Sequence, residues 1–291
     1  TWRDFEQRNN YPALFMTSEL QLEDRVIRCG PSKFIDNLAL VINQYVPTDI
    51  VLLHAGHIRI NQNFESKTTL RGIDLHRLLP FYDYFLSFRA MGSTILQILE
   101  HSVRLLPSST GTLFSTSGIA FEVDVNQKPM NRIDPLKVTV LGKPFDLEKE
   151  YSFSVLSFIG MGNDGFTMIK DCEKLKFEKE MYLLDKLKEF VMLPNDSRVR
   201  QQFEYYKTHK KRVDSYCQEN SVRMCSTNSL DLKLDQDPSA ETSLSSEYMS
   251  VKELEYFRLF SIVKGIRIDN GTYIWEMSLS EKSNVSIINH P

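Results

Sequence analysis

Two histidines and an arginine crowd the end of an apolar run: residues 49–53, read DIVLL, lead directly to His54, Gly56, His57 and Arg59. Imidazole can ligate a metal or carry a proton, and guanidinium can hold an anion through paired hydrogen bonds. A polar cluster just past a buried strand is a common ligand position in proteins that mix helices with sheets. Asp74 and His76 add an Asp-x-His pair, so donors of the metal-binding type recur close by. The spacing fails a metal centre. His54 and His57 follow a strand, where no helical turn places them on one face, and no further His/Asp motif completes a ligand set. Packing or surface histidines are the simpler reading, and no metal is expected in this chain.

Three further features carry possible chemistry. Arg59, just past the strand and preceded by a glycine that permits close backbone approach, suits bidentate capture of phosphate or carboxylate; a surface ion pair is the equal alternative. The loop at 157–166, SFIGMGNDGF, places Gly160, Gly162 and Gly165 after a strand, with Asp164 able to accept hydrogen bonds from sugar hydroxyls. Its letters match G-x-G-x-x-G, but no βαβ unit with a distal acid surrounds them, and a structural glycine turn is the default. Phe81 and Phe158 each stand beside a turn signal, LPFYDY and SFIGMG. Two such rings facing one another would make a slot for a flat ligand, where core packing is the ordinary role of either alone.

These groups need a scaffold, and the composition supplies one. With 291 residues, 42% of them hydrophobic, the chain can bury the core of one large domain or of a domain with an appendage. A net charge of -3 offers no basic footprint for nucleic acid or an anionic membrane. No run approaches the ~20 apolar residues of a spanning helix. The chain starts at Thr1 without a signal-peptide pattern, so a signal peptide is expected to be absent or already gone, and an excised or truncated chain is the expectation. Cys29, Cys172, Cys217 and Cys225 lack C-x-x-C spacing and read as ordinary thiols, and sequons at Asn195, Asn270 and Asn284 leave the compartment open.

Periodicity gives the elements. Residues 1–24 read as irregular, and the alternation of RVIRC at 25–29 suggests a strand. Ile35, Leu38, Ile42 and Tyr45 form a helical stripe ended by Pro47, which feeds the DIVLL strand. GIDLHRLLPF predicts a short helix running into an aromatic turn, and YFLSFRAM predicts a strand closed by Gly92. Ser93 suits the N-cap of a helix whose stripe is Ile95, Leu99 and Val103. Two strand-like runs broken at Gly118 follow, then a hairpin with a Gly-Lys-Pro turn, and a long amphipathic helix over 173–193. The domain plan is a leader or linker remnant at 1–24, a mixed domain at 25–193, a basic helical stretch and Ser/Asp/Glu-rich linker at 194–250, and a C-terminal extension at 251–291.

Taken in order, these stretches resemble the C-terminal domain of the 5'-nucleotidase family. That family shows Asn-x-Gly-x-Ile-Arg at a strand end, a Leu-Pro-Phe turn, a helix of the Gly-Ser-x-x-Leu…Glu-His-Ser-Val type, a Ser-Gly-Ile strand, and Gly-Gly-Asp-Gly-Phe after Asn-Phe. This chain has HAGHIR at 54–59, LLPF at 78–81, GSTILQILEHSV at 92–103, TSGIAF at 116–121 and SFIGMGNDGF at 157–166. DNL at 36–38 is similar to the family's Gly-Asn-Leu, which opens the first helix. The resemblance covers roughly residues 25–193 and implies an α+β fold of mixed sheets with helices packed outside, in four layers α/β/β/α. It implies that Phe81 and Phe158 sandwich a base, Asp164 holds ribose hydroxyls, Arg59 binds phosphate, and Arg28 is a second phosphate-binding arginine. Two departures concern the base and the loop. His54 stands where the family has its base-contacting Asn, and Asn163 stands where it has the second glycine; asparagine tolerates left-handed backbone better than most residues.

The family's hydrolysis belongs to an N-terminal metallophosphoesterase domain, whose two divalent metals activate water and stabilise the displacement at phosphorus. Its Asp-x-His, Gly-Asp, Gly-Asn-His-Asp/Glu and Gly-His-x-His set is absent here, and DLH at 74–76 stands alone. The expectation is a nucleotide-recognition domain for a nucleoside monophosphate or related nucleotide, with no cofactor of its own and its catalytic partner domain upstream in a longer chain. The alternative is a non-catalytic nucleotide-binding or protein-interaction module that retained the fold.

Overall fold

Every residue of the DIVLL strand from Ile50 on is buried, and strand alternation sends its side chains to two different cores. Ile50 and Leu52 join one apolar cluster, Val51 and Leu53 the other. A strand covered on both faces needs packed elements on each, and the structure, a computed structural model, provides them. It describes residues 1–46, 48–176, 180–204, 206–208, 263–279 and 284–288.

The elements run α1 (Trp2–Asn9), β1 (Pro12–Met16), α2 (Asp24–Ile27), α3 (Lys33–Asn43), β2 (Ile50–His54), β3 (Thr68–Arg71), α4 (Gly72–Leu78) and β4 (Phe85–Met91). Next come α5 (Gly92–Val103), β5 (Phe114–Ser117), β6 (Ile119–Asp124), β7 (Thr139–Val140), β8 (Lys143–Pro144), β9 (Glu150–Leu156) and α6 (Ser157–Gly160). The last are β10 (Glu173–Leu175), α7 (Leu183–Met192), β11 (Val263–Asp269), β12 (Thr272–Met277) and β13 (Val285–Ile288). A five-stranded sheet of order β10-β4-β9-β2-β5 forms the centre. Its β2 and β9 are parallel and its other pairs antiparallel. The four-stranded sheets β11-β12-β1-β3 and β13-β6-β7-β8 are mixed in the same way. Helix α5 packs on β4 and β9, α3 packs on β2 and β5, and α7 joins α3 to β1 and β12. The fold is α+β with mixed sheets and packed helices.

Several local expectations change. Residues 24–27 turn as helix α2, because the chain there closes onto the Glu23 carbonyl instead of meeting a sheet edge. Residues 1–24, expected to be irregular, carry α1, capped by Thr1 and Asp4, and the wholly buried strand β1. Met91, not Ser93, is the N-cap of α5, with Gly92 N and Ser93 N donating to the Lys149 and Leu147 carbonyls. The short hairpin turns at Leu141 and Gly142, both at positive φ, and Lys143 and Pro144 already belong to β8. The following β9 pairs instead with β4 and β2. The helix expected over 173–193 begins only at Leu183, since Glu173–Leu175 pairs with β4 as an edge strand.

The chain's C-terminal portion contributes to the same sheets. Strand β12 lies parallel to β1, and β13 lies parallel to β6. The Asn284 amide donates to the Thr116 carbonyl, and Asn195 exchanges two hydrogen bonds with the Tyr273 backbone. Residues 197–204 are helical; the Ser/Asp/Glu-rich linker expected after the basic stretch lies outside the described residues.

Candidate functional site

The ends of β2 and β9 and the turn before β4 bring His54, Arg59, Phe81 and Phe158 together, with His57 among them. Phe81 and Phe158 are 46% and 44% exposed, an unusual state for large rings that flank well-packed strands. Each rests on a buried histidine. His54 lies beneath Phe158, nearly parallel at 6.2 Å between ring centroids, and His57 lies beside Phe81 at 5.4 Å. The two imidazoles meet edge to face at 5.6 Å. The result is a floor of two imidazoles joining two half-exposed benzyl rings. The Arg59 guanidinium lies 5.3 Å from the Phe81 centroid, within cation–π range.

Burial is the main force on the floor's charge. It lowers the His54 pKa to about 3, helped by the like charges of His57, Arg59 and Arg28. His57 falls to about 4, again chiefly through burial, although Asp83 and a hydrogen bond with the Phe81 backbone pull the other way. Both rings are neutral at pH 7, so each can carry only one N–H donor. His54 Nδ1 and His57 Nε2 are buried without a hydrogen-bond partner among the described residues.

Arg28 belongs to the same electrostatic neighbourhood through its effect on His54, and one of its guanidinium nitrogens lies 3.3 Å from Asp24. Its Nε is buried without a partner among the described residues. Asp164 sits on the glycine loop at φ 53, with its carbonyl accepting from His101 Nε2 at 2.9 Å. The residue is exposed, on a loop tied to α5 by that bond, and the ring contacts of the histidine floor do not include it. The left-handed positions of this loop are Gly162, Asp164 and Gly165, so Asn163 does not carry the backbone role expected of it. Instead the Asn163 amide donates to the Phe158 carbonyl at 2.9 Å, bracing the ring from its own loop.

Gly56 also has a different job from the one its position suggests. A Cβ there would lie 3.1 Å from the Gly111 carbonyl oxygen and 3.3 Å from Gly111 Cα. The close approach that glycine permits is to a neighbouring loop, sealed by Gly56 N–H to Gly111 O at 2.8 Å. Asp74 and His76 stand apart from the floor: the Asp74 carboxylate accepts from Arg71 N at the start of α4, and His76 Nε2 pairs with Asn9. Among the described residues, no group of three or more His, Cys, Asp or Glu side chains is arranged to hold a metal ion. Also among the described residues, no helix is long and apolar enough to cross a membrane.

Sequence reasoning missed Asp83. Its carboxylate accepts from Ser157 Oγ, from Tyr84 N at 2.8 Å and from Phe158 N at 3.4 Å. The one signal was an aspartate between two tyrosines in an otherwise apolar run.

A family model described as 5'-nucleotidase, C-terminal domain, matches residues 15–171. The mouse (Mus musculus) 5'-nucleotidase is 33% identical over 133 residues, which is 44% of this chain and 23% of that protein. The chain thus spans about a quarter of that relative's length. Among solved structures, a 5'-nucleotidase precursor from Thermus thermophilus superposes with TM-score 0.56 at 22% identity, covering 62% of this chain and 36% of that one. A sulfate thiohydrolase from Thermus thermophilus superposes with TM-score 0.52 at 15% identity, over 65% and 33% of the two chains. At such identities these structures speak for the fold alone.

Proposed function

This chain belongs to the 5'-nucleotidase C-terminal domain family, and from that membership we propose that its ring site recognises a nucleotide. The base stacks between Phe81 and Phe158, Asp164 accepts from the ribose hydroxyls, and Arg59 and Arg28 attract the phosphate. The observation that carries this reading is the pair of half-exposed rings joined by a buried, uncharged imidazole floor. Water gains little by solvating such a surface, and a flat heterocycle covers it, adding ~0.5–1.5 kcal/mol of stacking to the area buried. His54 replaces an amide's paired donor and acceptor with a single neutral ring, which narrows how the base edge can be read.

Hydrolysis of the phosphate ester requires two divalent metals in an N-terminal metallophosphoesterase domain; the residues here bind and orient. Hinge motion between the two domains delivers the bound nucleotide. A second reading, a non-catalytic nucleotide-binding or interaction module, draws on the His54 replacement. Metal-binding motifs in the coding sequence upstream of Thr1 favour the enzyme, and a start codon just before Thr1 favours the module. Calorimetric titration with AMP, UMP and adenosine tests the recognition step common to both. Saturable heat with at least one is expected; none with any of them, in a folded sample, contradicts the proposal.

A further inference from the structure

Two segments bear the exposed rings, and they are far apart in sequence. Phe81 lies in the turn before β4, and Phe158 lies in the first turn of α6 after β9. Strand pairing fixes where β4 and β9 run, since Phe85 lies opposite Leu156. One more backbone bond, from Ser157 N to the Tyr84 carbonyl at 2.7 Å, continues past that register, and both rings lie beyond it. Helix α6 receives no cap from the side chain of its own N-cap, Leu156. Its first amides therefore need an outside acceptor.

Asp83 is the acceptor for Phe158 N, and its contacts reach both ring-bearing segments and His57. One carboxylate oxygen takes hydrogen bonds from Ser157 Oγ and Tyr84 N, and the other takes one from Phe158 N at 3.4 Å. The second oxygen also lies 4.0 Å from His57 Nδ1, the ring that supports Phe81. Its backbone is held too: Asp83 N donates to the Phe81 carbonyl at 3.0 Å, and Leu183 N at the start of α7 donates to the Asp83 carbonyl at 3.1 Å. The side chain is only 11% exposed, so water competes weakly for these bonds.

We infer that Asp83 is the positioning residue that sets the gap between Phe81 and Phe158, and hence decides whether a flat base is gripped. It acts through the two rings and touches no ligand itself. A carboxylate suits the place because it accepts on both oxygens, whereas every partner from the Phe158 side is a donor. Asparagine would keep one acceptor for Ser157 and Tyr84 but turn an NH2 toward Phe158 N–H. The inference rests on the nucleotide reading above and adds to it a residue that the family resemblance did not supply.

The test compares ligands that need the rings with one that does not. Adenosine and AMP present a base; ribose 5-phosphate presents only sugar and phosphate. For the full chain, Asp83→Ala is expected to weaken adenosine and AMP about ten-fold or more while leaving ribose 5-phosphate within about two-fold. Asp83→Asn should fall between wild type and Ala, and Ser157→Ala should show a smaller loss of the same selectivity. Should the Ala variant not fold, the Asn and Ser157→Ala proteins carry the comparison. An equal loss for all ligands marks a general structural role and overturns the inference. So does unchanged base binding in Asp83→Ala alongside tight binding by wild type, which leaves the nucleotide reading intact. Failure of wild type to bind any of AMP, UMP and adenosine overturns that reading, and the positioning role with it; should UMP alone bind, it takes the place of AMP in the comparison.

Discussion

Two aromatic arrays in this molecule invite comparison. Around Trp275, Phe190 stacks at 6.1 Å and Phe203 meets it edge-on at 5.6 Å. All three rings are buried, and the indole N–H donates to the Phe190 carbonyl at 3.0 Å. Around the histidine floor the rings are just as close, yet two phenylalanines stay half exposed and two ring nitrogens lack partners among the described residues. The first array is finished by the protein itself. The second leaves apolar area open beside fixed polar groups, and on that difference the proposed ligand site rests.

The comparison breaks most sharply at Trp275. Trp275→Ala is expected to cost about 3–5 kcal/mol in denaturant unfolding, as deletion of a buried indole leaves a cavity and removes its hydrogen bond to the Phe190 carbonyl. A loss below about 1 kcal/mol would mean that β12 is not the integral strand described here.

The next effect separates the arrays by pH. Both floor histidines have folded pKa values below the ordinary 6.5, at about 3 and about 4. The unfolded chain therefore takes up protons first as pH falls, so stability is full above 6.5 and declines below it, by roughly 1.4 kcal/mol per histidine per pH unit. Unfolding curves at pH 7 and 5.5 should show this slope in wild type and in Trp275→Phe, and a flatter one in His57→Phe. An unchanged slope in His57→Phe would contradict the burial described for that ring.

Smaller changes then refine the site. Phe158→Ala should leave stability within about 1 kcal/mol but weaken base-containing ligands about ten-fold. Arg59→Ala should weaken AMP a few-fold more than adenosine, since its cation–π contact with an exposed ring contributes only about 0.5–1 kcal/mol. Titration calorimetry reads both, and equal losses for AMP and adenosine would remove Arg59 from the phosphate role.

Much of the frame was legible because it is local. The stripe Ile95, Leu99 and Val103 marks α5, and the apolar run ending at Leu53 marks β2; each pattern concerns a single element and its burial. What escaped depends on partners distant in the chain. RVIRC alternates like a strand, but no described strand pairs with it, so the local turn of α2 wins. Residues 173–175 fit a helix until β4 offers an edge. Strand β12 finds β1 across most of the sequence, a pairing no local period encodes. In the site, Phe81, Phe158 and Arg59 stood out by turn signals and charge, and motif order linked them. Asp83 did not, because its contacts with the Phe158 segment reach residues more than seventy positions away. Gly56 was read as room for a ligand, whereas the space is taken by Gly111.

The central claim is that Phe81 and Phe158 together grip a flat heterocycle. NMR of the full chain with labelled phenylalanine rings, titrated with adenosine, tests it most directly. The account expects nuclear Overhauser contacts from the adenine protons to both rings and none to Phe190 or Phe203. Saturable binding with contacts to neither Phe81 nor Phe158 would contradict it.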